Sequence, residues 1–143
     1  MNQGELEKLE GVWTGSERIM DSGVPYEARA RLVFQLVFDG RFMLCDYVQT
    51  VPDRPTAVGH AVFRRDDRTS AVAVTWFRNP AATAAQQQDA VAEAGSLAFV
   101  ETIAGRTTRT TYSFAMDRLT IRTEGSTGGG NWKPLLEGTY KRR

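Results

Sequence analysis

The sequence predicts an all-β chain, an antiparallel up-and-down barrel of about nine or ten strands with a short N-terminal helical turn. Three observations predict it. Apolar residues recur with a period of two rather than the 3.6 of a helix. Nearly every gap between the period-two runs has hairpin length. A meander of so many strands would leave two open edges, which closure into a ring removes. Consecutive hairpins favour that ring over a sandwich, which needs longer crossing connections. A barrel of this strand number has room inside for side chains and a small ligand.

Taken in order, Gln3 to Glu10 carries Leu6 and Leu9 at helical spacing and predicts one or two helical turns. Gly11 to Asp21 is the first strand. Glu27 to Asp39 places Ala28, Ala30, Leu32, Phe34, Leu36 and Phe38 on one face. Arg29, Arg31 and Gln35 fall on the other, interrupted by Val33 and Val37. Asp39-Gly40 then predicts a type I′ hairpin turn, which needs positive φ at both central positions. Arg41 to Val51 returns and meets the Pro52-Asp53-Arg54-Pro55 turn. Further strands are Thr56–Arg65, Ser70–Phe77, Ser96–Ile103, Arg106–Ala115, Arg118–Glu124 and Lys133–Lys141. Asp66-Asp67-Arg68, Ala104-Gly105, Met116-Asp117 and the glycine-rich Gly125–Asn131 separate them. Asn79-Pro80 reads as an N-cap followed by proline at the first helical position, so Ala81–Gln88 is predicted as a surface helix or loop. Asp89–Ala94 is predicted as a short strand pairing with Ser96–Ile103 across Gly95.

At 143 residues the chain suits one domain, 1–143. With 41% hydrophobic and 24% charged residues it has the composition of a folded protein, which excludes general disorder. Lys+Arg 18 against Asp+Glu 17 gives a net charge of +1, which excludes a strong field for nucleic acid or an anionic membrane. One cysteine, Cys45, allows no internal disulfide, and with a single histidine there is no zinc-ligand cluster. The N-terminal residues are too polar for a signal peptide and no apolar run reaches membrane-spanning length, so a cytoplasmic protein is expected. A homodimer stays open.

Gly11-Val12-Trp13 opens the first strand just after the helical turn. Leu9-Glu10-Gly11-Val12-Trp13-Thr14-Gly15, Phe38-Asp39-Gly40-Arg41-Phe42-Met43, Trp76-Phe77 and the closing Leu136-Glu137-Gly138-Thr139-Tyr140-Lys141-Arg142 continue the pattern. Together these resemble lipocalin-like (calycin-type) small bacterial barrels gathered as a domain of unknown function. The resemblance implies that Trp13 plugs one barrel end, with Gly11 before it and Arg142 or Lys141 over its indole as a cation–π cover. It also implies a ligand-binding interior, without naming a reaction. Nitrobindin-like barrels share the general shape and hold haem through a histidine late in the chain. Trp132–Arg143 contains none, so no haem or other cofactor is expected here.

His60 is the only histidine, and any triad, neutral-pH base or imidazole ligand would have to use it. Its plain alternative is a hydrogen-bonded wall residue. The run Gly125-Ser126-Thr127-Gly128-Gly129-Gly130 lacks the lysine of a phosphate loop and leads into a strand, so it reads as a hairpin loop. Arg64, Arg65, Asp66, Asp67 and Arg68 read as a solvated, self-paired turn. Cys45 reads as a small buried side chain rather than a nucleophile. Glu101 shares a face with Leu97, Phe99 and Ile103, and inside an apolar barrel it would need a partner such as Arg109 or Arg122. Asp46 shares a face with Phe42, Leu44 and Val48, and Tyr47 the opposite one with Met43 and Cys45.

Three functions remain open from these residues. One is a barrel binding a small, largely apolar or aromatic ligand. Its cavity would be lined by Leu36, Phe38, Phe42, Leu44, Trp76, Phe99, Tyr112 and Phe114, with Tyr47, His60, Glu101 or Arg109 supplying polar contacts. The small residues Ala57, Gly59, Ala61, Ala71 and Ala73 argue for that cavity, because they fill little volume if they face inward. Another is an enzyme using an interior acid/base pair such as Glu101 with Tyr47, Tyr112 or His60. The third is a filled barrel serving as an interaction or structural protein.

Overall fold

Alternation of small or apolar residues with charged ones makes a strand with one buried face, as it does most plainly over residues 27–35 of this chain. The structure, a computed structural model, describes residues 4–20, 23–66, 68–69, 71–79, 86–93, 95–103, 105–128 and 130–143. A short helix, α1 (Gly4–Glu7), precedes ten strands. They are β1 (Gly11–Ile19), β2 (Tyr26–Val37), β3 (Phe42–Thr50), β4 (Ala57–Arg65), β5 (Val72–Asn79), β6 (Gln86–Glu93), β7 (Ser96–Ile103), β8 (Arg106–Ala115), β9 (Arg118–Ser126) and β10 (Lys133–Arg142). Each pairs antiparallel with its sequence neighbour, and β1 pairs with β10, so the sheet closes into a barrel with no free edge.

In β2, Ala28, Ala30, Leu32 and Phe34 are buried while Glu27, Arg29, Arg31 and Gln35 are exposed, the alternation the sequence predicts. The strand stops earlier than expected, at Val37. Phe38, Asp39 and Gly40 all adopt positive φ in the turn, with Gly40 N–H donating to Val37 C=O and Arg41 N–H to Phe38 C=O. That turn carries Phe38 off the inner face and leaves it 75% exposed, edge-on to Phe42. β7 and β8 match the expected bounds, β6 starts three residues before the expected Asp89, and the remaining strand ends match or differ by one or two residues. The segment expected as helix or loop is partly strand, since β6 begins at Gln86. Residues 80–85 and Ala94 lie outside the described residues, as do Gln3, Asp21 and Ser70.

One barrel end is closed. Leu6 and Leu9 from α1 and the residues after it pack with Trp13, whose indole N–H donates to Leu9 C=O at 2.8 Å. The Arg142 guanidinium lies 4.2 Å over the Trp13 ring and donates to the carbonyls of Lys8 (2.8 Å) and Glu10. Gly11 makes this possible: its φ is +128°, and a Cβ there would lie 2.8 Å from Arg142 Nη1. From β4, Arg65 adds an ion pair to Glu7 at 2.6 Å. The aromatic core above the plug is Phe34, Phe63, Phe99 and Tyr112, with ring centroids 5.8–6.1 Å apart in tilted and edge-on contacts.

Candidate functional site: the barrel cavity

Away from the plug the barrel is hollow. A cavity of about 770 Å³ is lined from the mouth end of the strands by residues that include Ile19, Tyr26, Gln49, Ala57, Arg78, Glu101 and Arg106. Deeper walls come from Leu32, Val74, Trp76, Phe99, Tyr112 and Ile121. A register shift between Pro134 and Leu136 where β10 meets β9 sets the two consecutive residues Leu135 and Leu136 on the cavity wall together.

The most deeply buried polar side chain of the wall is Glu17, whose exposure is 1%. Its Oε1 accepts from Tyr47 O–H at 2.6 Å and from Gln49 Nε2 at 2.7 Å, and its Oε2 accepts from Tyr140 O–H. Gln49 Nε2 also donates to the Tyr47 hydroxyl at 2.9 Å. The network bridges three strands that are not all neighbours. Glu17 is on β1 and Tyr47 and Gln49 are on β3, with β2 between them. Ala28 and Ala30 are the inward residues of β2 at that level, and their methyl groups leave the space across which Glu17 reaches. On the other side, Gly138 stands opposite Glu17, and the Tyr140 ring folds over it. A Cβ on Gly138 would sit 2.0 Å from the Tyr140 hydroxyl oxygen. Burial first, then the Glu17 charge and hydrogen bond, push Tyr47 and Tyr140 far above the ordinary phenol range, so both hydroxyls stay protonated and donate. Burial also pushes Tyr112 up, and the enclosed Cys45 thiol with it, which fits a packing role for Cys45.

Of the twelve residues expected to line the cavity, the structure gathers Tyr47, Trp76, Phe99, Glu101 and Tyr112 on its wall, while Leu36 and Phe114 pack with the core instead. Tyr47 meets Trp76 edge-on at 6.3 Å, and Arg78 lies 4.8 Å over the Trp76 ring. The other five, Phe38, Phe42, Leu44, His60 and Arg109, are corrections. Phe38 is carried out of the barrel by its turn. Phe42 belongs to the outer face of β3, because Met43 and Cys45, both 0% exposed, take the inner one. Leu44 goes outward with it. His60 also points outward, directly across from Asp46, with Nδ1 2.8 Å from Oδ1 and both side chains largely in solvent. Arg109 lies on the outer face of β8, 3.1 Å from Glu124 and 4.2 Å over the Trp132 ring, and so is not the partner of Glu101. Arg122 joins the same outer group, 3.5 Å from Glu124. Among the small residues, Ala57 and Ala61 face inward, whereas Ala71 is exposed.

Glu17, Gln49, Arg78, Arg106 and Tyr140 line the cavity without having been expected there. A signal existed for two of them. Glu17 is in step with Trp13 and Ile19 along β1, and Tyr140 is in step with Arg142 along β10. No group of acidic, histidine or cysteine side chains suited to a metal ion occurs among the described residues, and no helix is long and apolar enough to cross a membrane.

A closed antiparallel ring around a chamber of this size defines the chain as a hollow β-barrel. Among solved structures it is similar to the crystal structure of Rv2717c from M. tuberculosis, with a TM-score of 0.71 over 96% of this chain and 94% of that chain, at 16% identity. The likeness is one of fold. No protein-family model and no curated protein matches the chain.

Proposed function

We propose that the protein is a binding barrel of the lipocalin-like kind, which takes a small, largely apolar or aromatic molecule into its cavity. The observation that carries this reading is the chamber itself: about 770 Å³ falls in the range of roughly 300–1,000 Å³ typical of small-molecule sites. A barrel filled with side chains would have no such space. Its wall has the required character, since Leu32, Val74, Trp76, Phe99 and Ile121 offer apolar contact and a few polar groups offer orientation. The Gly11–Trp13–Arg142 clamp supports the family reading, and the lipocalin-like assignment rests on it and on the ring topology.

The test is titration with an environment-sensitive apolar dye. One saturable site is expected, with energy transfer from Trp76. Thr110 lines the wall without being part of the buried core, so Thr110→Phe should narrow the chamber and weaken dye binding about tenfold or more while the protein stays folded. A dye affinity unchanged by this substitution would place the dye on the surface and defeat the reading. Native mass spectrometry of the protein purified from its own host would then identify the natural occupant.

A further inference from the structure

We infer that the occupant carries a protonated amine, and that Glu17 is the group that receives it. This rests on the binding-barrel reading above. Glu17 is an ionisable group on the wall of a mainly apolar chamber, with 1% of its surface exposed. Both oxygens act as acceptors, yet its hydrogen-bond partners, Tyr47, Gln49 and Tyr140, are all neutral. Neutral donors stabilise a carboxylate without cancelling its charge. A buried anion left so has a large desolvation penalty that an opposite charge offsets.

No basic side chain of the described residues makes an ion pair with Glu17. Arg78 and Arg106 line the same cavity and both are exposed. Arg78 stacks on Trp76 and its charge is felt at Tyr47 and Tyr112, but neither guanidinium forms an ion pair with Glu17. Glu17 is thus the buried charged group of the wall, set among aromatic side chains. An ammonium against Glu17 satisfies the carboxylate, while an apolar body fits the walls. The architecture around Glu17 is built for its position: Ala28, Ala30 and Gly138 each give up side-chain volume to it and to its donors.

Calorimetric titration with octylamine, octanol and octanoate at neutral pH separates the possibilities, since the three share a tail and differ in the head. Octylamine is expected to bind about tenfold or more tighter than octanol, and octanoate weakest. In Glu17→Gln the preference for the amine over octanol should vanish. Octanoate binding as tightly as octylamine to the unmodified protein overturns the inference, whether or not the variant folds. So does an amine preference retained in Glu17→Gln. If octanol binds but the amine gains nothing over it, the head-group inference fails and the binding barrel stands. If none of the three binds, the binding-barrel reading falls, and this inference with it.

Discussion

Tyr140 reaches Glu17 only because Gly138 has no side chain, so one methyl group there tests the whole network. Gly138→Ala should displace the Tyr140 hydroxyl and destabilise the barrel by about 1–3 kcal/mol, read from denaturant unfolding. The phenols make a second prediction at this scale. Tyr47, Tyr112 and Tyr140 titrate far higher in the fold than their ordinary value of about 10. Below about pH 10 both folded and unfolded chains keep these protons, and their contribution to stability is complete. Above it the unfolded chain loses protons that the native one retains, so stability falls by up to ~1.4 kcal/mol per pH unit per phenol. Cys45 has the same sign and begins the decline lower, near about pH 8.5. Melting temperatures should drop steeply in that alkaline window, with the phenolate absorbance of these three residues appearing only together with unfolding.

Strands β3 and β4 show what a pair of elements decides that single residues do not. Asp46 and His60 face each other across the outer surface, so His60→Ala should change stability by less than about 1 kcal/mol and leave dye binding untouched. Trp13→Ala, which empties the plug, should cost about 3–5 kcal/mol. Measuring both by denaturant unfolding checks the contrast. The same pair shows where sequence reading succeeds and stops. The strands themselves are legible, because period-two alternation leaves its trace wherever one face is buried and the other wet, as in β2. On β3 the trace is ambiguous: Phe42, Leu44 and Val48 on one side are as apolar as Met43, Cys45 and Tyr47 on the other. Register against β4 settles it, and register is a property of two strands together. Glu17 was hidden for a related reason. Its donors come from β3 and β10, so its surroundings are set by tertiary closure and by small residues on β2, which no local pattern announces.

At the scale of the molecule, nine hairpin steps bring the chain round to a tenth strand that must find the first. Glu17 and Tyr140, which bond across that seam, are 123 residues apart in sequence. Contacts so distant form only after the intervening loop entropy has been overcome, which makes β-rich chains of this kind slow folders, on a scale of roughly milliseconds to seconds. Closing the ring is then expected to be the late event, with Arg142, clamped over Trp13 and the carbonyls of Lys8 and Glu10, acting as a latch engaged after the main barrier. Interactions made after the barrier govern escape from the native state rather than entry to it. Arg142→Ala, removing ~1–2 kcal/mol of clamp, should therefore quicken unfolding roughly tenfold while scarcely altering refolding, as stopped-flow fluorescence would follow. A barrel latched in this way holds its shape by the slowness of its opening.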